Sequence, residues 1–135
     1  MMAFARSVLH FLWMLLTVVP YALFILAMAA LGVKGQRLYW MAVKWLSMAV
    51  HSARTLVGIH YRITGMENLP TGSTSPAVLL VKHQSTYETF LMPAIMPHPL
   101  AYVFKRELLR IPFFGWAMGR LDMIHIDRSQ RAQAF

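Results

Sequence analysis

A chain of 135 residues has room for one small domain, but 58% apolar residues against 13% charged excludes an ordinary soluble composition. Thirteen Lys and Arg against five Asp and Glu leave a net charge of +8, which beside so much apolar sequence points away from nucleic acid. An anionic membrane surface or a phosphate-bearing substrate fits better, each basic residue at such a surface contributing about 1 kcal/mol, and the lack of cysteine excludes a disulfide framework and thiolate chemistry.

From Val8 to Leu31 the chain runs 24 residues without a formal charge. As a helix that run covers roughly 36 Å against a hydrocarbon core of about 30 Å, so it reads as a membrane segment. A secretory signal is the alternative, since Arg6 precedes the run and Ala27-Met28-Ala29 resembles a cleavage site; the length of the run favours a retained anchor. Pro20 removes a backbone donor mid-run, which leaves a kinked or re-entrant helical hairpin open beside a straight span. Lys34, Arg37 and Lys44 follow the run while Arg6 precedes it, a bias that places the rest of the chain on the cytoplasmic face.

Leu38 to Val57 is apolar again, with Arg37, Lys44, Ser47, His51 and Arg54 forming one polar stripe at helical spacing. Trp40 and Trp45 suit a headgroup layer, which favours an interfacial helix over an amphipathic helix with core tryptophans. Residues 1–56 thus form a membrane-anchoring helical region, and residues 57–135 an α/β region.

Val57 to Thr64 alternates apolar and polar residues, the pattern of a half-exposed strand, and Gly65 to Pro76 is a loop. Beyond it the spacing predicts a buried strand over Ala77 to Val81, a helix from Thr86 to about Leu91 disturbed at Pro93, and a strand over Ala101 to Phe104. A short helical stretch up to Pro112, a turn from Phe113 to Met118 and a strand over Met123 to Ile126 follow, with another helix starting at Ser129. This alternation makes the fold α/β, a partial and mostly parallel sheet with crossover helices. Parallel strands gather their C-terminal ends on one edge, here carrying His83, then Lys105 and Arg106, then Asp127 and Arg128.

His83 and Glu88 are the candidate catalytic pair: a neutral imidazole takes a proton near pH 7, and a carboxylate five residues on can reach back to orient it. Ser85-Thr86-Tyr87-Glu88 is equally a capping box, in which Glu88 returns to the Ser85 amide and serves only its helix. Lys105, Arg106 and Arg110 suit a phosphate monoester, or else form a solvated basic face. Gly115 would let backbone approach a ligand, or satisfy a tight turn. Asp127 reads as a helix cap that leaves Arg128 facing the site. His10, His51, His98 and His125 have no partner at metal-ligand spacing, so no metal is expected, and the chain has neither a Gly-rich phosphate loop nor a nucleophilic serine elbow.

A membrane-seeking N-terminus, then His83-Gln84-Ser85-x-x-Glu88, then Lys105-x-Glu107-Leu108-x-x-x-Pro112-x-x-Gly115, then Ile126-Asp127-Arg128, resembles the glycerolipid acyltransferase family over roughly Val57 to Arg128. The likeness is nearest to its 1-acylglycerol-3-phosphate acyltransferase branch. It implies that His83 is a general base removing the proton from a glycerol hydroxyl as that oxygen attacks an acyl thioester, with Glu88 holding the imidazole. The donor would be acyl-CoA or acyl-carrier protein and the acceptor lysophosphatidic acid drawn from membrane lipids; Lys105, Arg106, Glu107, Gly115 and Arg128 would contribute to binding it. The product would be phosphatidic acid, the precursor of membrane phospholipids. No bound cofactor is implied. Glu88 stands where the family usually has aspartate and Lys82 where asparagine is frequent. The family's third motif, a Glu-Gly-Thr-Arg-like stretch, is absent, so the resemblance implies an N-terminal part of a longer protein that is inactive by itself. Acylation of another lysophospholipid or of glycerol 3-phosphate, or a non-catalytic membrane-anchored interaction module, are the alternatives.

Overall fold

The computed structural model describes residues 2–69 and 76–127. The first apolar run becomes α1, Met2–Ala30, a 29-residue helix that continues through Pro20 and contains an 18-residue stretch of mean hydropathy 2.2. By length and composition it can cross a membrane; its span is about 43 Å. Its end is set locally. Gly32 adopts φ +88°, the Val33 amide donates to Met28 O and the Gly32 amide to Ala29 O, both at 3.0 Å, and Val33 packs with Met28 in the core. These are the paired bonds and apolar contact of a left-handed glycine stop, which turns the chain back on itself.

The second helix, α2 (Gly35–Ser52), descends antiparallel along α1 and runs into a π-helical turn, Ala53–Val57, closed by Gly58 at φ +85°. The contacts between the two helices climb α1 as they descend α2's partners from its far end. Arg6 donates to Leu56 O, His10 Nε2 lies 3.3 Å from Ala49 O, Trp45 Nε1 donates to Thr17 Oγ1 at 3.1 Å, and the Tyr21 hydroxyl donates to Met41 O at 2.9 Å. Ala22 and Ile25 of α1 meet Leu38 of α2 in the core. A hairpin is therefore formed. The polar stripe on α2 falls on its outer face as its spacing predicts, with Arg37, Lys44, His51 and Arg54 exposed. Trp45 departs from the headgroup placement: it is buried between helices, whereas Trp40 stays partly exposed.

Two expected strands do not form among the described residues. Val57 is drawn into the π-helical turn, where the Gly58 amide donates to Ala53 O, and residues 58–65 run exposed without a ladder partner. Ala77 to Val81 is exposed rather than buried, with Val78 87% and Leu80 95% accessible. An apolar run becomes a strand only beside a neighbour that accepts its amides, and no described segment supplies one. Among the described residues of the expected loop, Met66–Asn68 forms a short 3₁₀ turn; the helix expected from Ser129 lies outside the described residues.

The third helix, α3 (Thr86–Ile95), passes Pro93 and ends one turn later than expected. Strands β1 (Val103–Lys105) and β2 (Ile124–Ile126) pair in parallel with Phe104 opposite His125, joined by a 3₁₀ turn, Arg106–Arg110, and a short helix α4, Phe114–Met118. The molecule is thus largely helical with a small parallel sheet, a partial α/β arrangement. The apolar core lies where α1, α2 and α4 meet, and α2 also packs along α3 across the boundary expected near residue 57.

Candidate functional site

Residues 76–85 reach α3 as extended, exposed chain, and Ser85 is the helix N-cap. Its Oγ accepts from the Tyr87 amide at 3.2 Å, while Glu88 Oε2 accepts from the Ser85 amide at 2.7 Å and lies 3.3 Å from the Gln84 amide. The capping box is complete. The same oxygen also stands 3.3 Å from His83 Nδ1, so capping and histidine contact are not alternatives. The amides that terminate the helix pin the carboxylate in front of the ring. Chiefly the Ser85 amide, then the Ser85 side chain and the Gln84 amide, hold the Glu88 carboxyl below its ordinary range, so near neutral pH it faces the imidazole as an anion. With Nδ1 turned to the carboxylate, Nε2 is left to accept a proton. The His83 side chain is 65% exposed, which leaves that nitrogen open to a substrate.

The cationic residues gather at the C-terminal ends of β1 and β2. Lys105 closes β1 and is exposed; Arg106 opens the 3₁₀ turn and contacts Asp127, the residue just past β2, at 3.4 Å. Parallel pairing causes this, because Lys105 lies opposite Ile126. Arg106, Glu107, Leu109, Arg110 and Asp127 line an open cleft of about 470 Å³. Asp127 is here a carboxylate in contact with Arg106, as its place at the end of a parallel strand allows; the helix it is expected to cap lies outside the described residues. The Tyr102 hydroxyl, directed at Thr89 O at 3.4 Å, links the segment before β1 to α3. Burial, then the neighbouring Tyr39, pushes that phenol up to about 12, so it is a proton donor and never an anion near neutral pH.

Gly115 takes the turn explanation. A Cβ there would lie 2.3 Å from Leu108 O and 2.8 Å from Leu109 C, both backbone atoms of the 3₁₀ turn that carries Arg106 and Arg110. Its neighbour Phe113 has φ 61° and ψ −65°, and the Phe114 amide donates to Pro112 O at 2.7 Å. That is a γ-turn of the rare positive-φ kind, and nothing in the sequence announces it. Pro112 to Gly115 thus folds α4 tightly under the cationic turn. Arg128 lies outside the described residues. Among the described residues no group of three or more His, Asp or Glu side chains is placed to hold a metal ion.

The family model described as Acyltransferase matches residues 60–135. A 1-acyl-sn-glycerol-3-phosphate acyltransferase of Pseudomonas aeruginosa is 49% identical over 86 residues, 64% of this chain and 32% of the relative. Proteins of the same name from Saccharomyces cerevisiae (31% over 84 residues, 62% of this chain and 27% of the relative) and mouse, the alpha form (30% over 110 residues, 82% and 37%), are also similar. The chain spans about a third of the length of these curated relatives. No solved structure matches. With the match covering His83, Glu88 and the cationic turn and more than half of the sequence, the chain belongs to the Acyltransferase family.

Proposed function

We propose that this chain is the membrane-anchored N-terminal part of a 1-acylglycerol-3-phosphate O-acyltransferase, with its catalytic residues on the cytoplasmic face. The observation that carries the reading is the His83 Nδ1 to Glu88 Oε2 contact of 3.3 Å, made by a carboxylate that backbone amides already hold in place. Separations of this size are common in unliganded sites and tighten around substrate. His83 Nε2 removes the proton from the acceptor hydroxyl as its oxygen attacks the thioester carbonyl carbon. The tetrahedral adduct then expels the thiolate, the C–S bond breaks, and the imidazolium returns its proton to sulfur. Glu88 stays ionised and keeps the ring oriented. No acyl-enzyme is needed. Lys105, Arg106 and Arg110 supply cations for the acceptor's phosphate, with Glu107 and Asp127 setting their orientation and Arg128 adding to them; Gly115 supports the turn that carries them.

The acyl donor is acyl-CoA or acyl-carrier protein, the acceptor is lysophosphatidic acid, and the product is phosphatidic acid for phospholipid synthesis. The named relatives favour this acceptor over another lysophospholipid or glycerol 3-phosphate. The test is release of free thiol in detergent with oleoyl-CoA and lysophosphatidic acid, using the full-length protein and its His83→Ala variant. A loss of at least about a hundredfold is expected. Unchanged turnover would mean that His83 is not the base and that residues 83–88 serve only as a cap. The 135-residue chain by itself is expected to show little or no turnover in the same assay.

A further inference from the structure

The hairpin packs along α3, and one side chain of α2 touches both α1 and α3. Trp45, in the middle of α2, is 6% exposed. Its Nε1–H donates to Thr17 Oγ1 of α1 at 3.1 Å, and Thr17 in turn donates to Trp13 O at 2.9 Å, so the indole is held in one orientation from the α1 side. On the α3 side it meets Phe90 edge to face, with ring centroids 5.9 Å apart and planes at 84°. Phe90 lies two residues beyond Glu88 in the same helix. That helix has ten residues, contains Pro93 and follows an exposed extended segment. A helix so short draws its order from packing rather than propensity. Its most extensive packing is against α2.

We propose that Trp45 is a positioning residue for the reaction: clamped by Thr17 on the membrane-seeking hairpin, it fixes α3 through Phe90 and so steadies the capped helix start at which Glu88 faces His83. The idea rests on the assignment of His83 and Glu88 as the base pair given above. It couples the hairpin to the chemistry through the α2–α3 packing in which this aromatic contact sits, rather than through the chain connection. A displacement of about 1 Å at a reacting group can cost about a hundredfold in rate, so a modest loosening of α3 has a large effect.

The experiment uses the full-length protein in lipid–detergent micelles with oleoyl-CoA and lysophosphatidic acid, comparing wild type, Trp45→Ala, Trp45→Phe and Phe90→Leu. Trp45→Ala is expected to lower kcat by about tenfold or more with the KM for oleoyl-CoA unchanged. Trp45→Phe, which keeps a ring against Phe90, should recover most of that loss. Backbone amide exchange provides a second measurement independent of activity: exchange over residues 84–95 should quicken in Trp45→Ala while that of residues 20–28 in α1 stays as in wild type. Wild-type kcat in Trp45→Ala, or exchange that is unchanged in α3 or quickened equally in α1, overturns the proposal. If Trp45→Ala fails to fold, Phe90→Leu carries the same two measurements from the other side of the contact. A wild-type protein without acyl transfer would instead sink the proposed function, and the exchange data would still decide whether Trp45 holds α3.

Discussion

The hairpin of α1 and α2 and the stretch from residue 58 to 127 are built in opposite ways. The buried apolar side chains lie almost wholly in the hairpin and its π-helical turn: Ala22, Ile25, Leu38, Tyr39, Val43, Trp45, Ala49, Val50 and Ala53, with Pro93 and Ala117 beyond it among the described residues. The site-bearing stretch has exposed strands and a histidine open to solvent, and its order comes from backbone hydrogen bonds at turns and helix starts and, for α3, from packing on α2. The hairpin also lies wholly before the first acid in the chain, Glu67, so all its formal charges are positive. Stability and attraction to an anionic surface thus reside in one part, and chemistry in the other. Changes in the second region are expected to alter activity far more than overall stability.

The sharpest way to break that contrast is Glu88→Gln in the full-length protein. Glutamine still completes a capping box, so the α3 cap survives while the negative charge facing His83 is lost. Turnover is expected to fall by at least about tenfold with a melting temperature close to wild type; equal activity would show that Glu88 is only a cap. Gly115→Ala is next in size and is the exception within the second region. Both nearest atoms are backbone and cannot turn aside, so a cost of about 1–3 kcal/mol is expected, read from a denaturant midpoint, together with disturbed acceptor binding. Ser85→Ala removes the hydroxyl that accepts from the Tyr87 amide and should cost about 1 kcal/mol by the same measurement.

Acid should sharpen the comparison further. Glu88 is held below its ordinary range in the folded chain, so its contribution to α3 is complete above the unfolded glutamate pKa and is lost as pH falls through the lower folded value. Far-UV circular dichroism on lowering pH should therefore show α3 keeping its cap through the usual carboxylate range and fraying only below it, with the acid-free hairpin unaffected. The smallest effect is expected from Asp127→Asn. Arg106 is exposed and Asp127 only half-buried, so loss of this screened pair should move stability by less than about 1 kcal/mol, and any larger change in acceptor KM reports the orientation of Arg106.

The sequence displays most readily what depends on local spacing. The α1 run, the polar stripe of α2, the cap at Ser85 and the two paired strands follow from hydropathy period and turn residues, and all four are found. The pairing of His83 with Glu88 is local too, since both residues flank one helix start. Features that need a distant partner were hidden. Ala77 to Val81 has the composition of a buried strand, yet a ladder is a property of two segments. Trp45 has the amphipathic character of a headgroup residue and becomes a contact between three helices, which no periodicity encodes. The γ-turn at Phe113 runs against the residue's own preference and is imposed by the close packing of Gly115 under the 3₁₀ turn.

The antiparallel hairpin bears on how the protein is made. Its stabilising contacts, from Arg6 with Leu56 to Tyr21 with Met41, close within the first 57 residues. Helical contacts of this kind form in micro- to milliseconds, whereas a ribosome adds only about 5–20 residues per second. The hairpin can therefore fold while the residues of the site are still being synthesised, so that α3 emerges beside a finished docking surface.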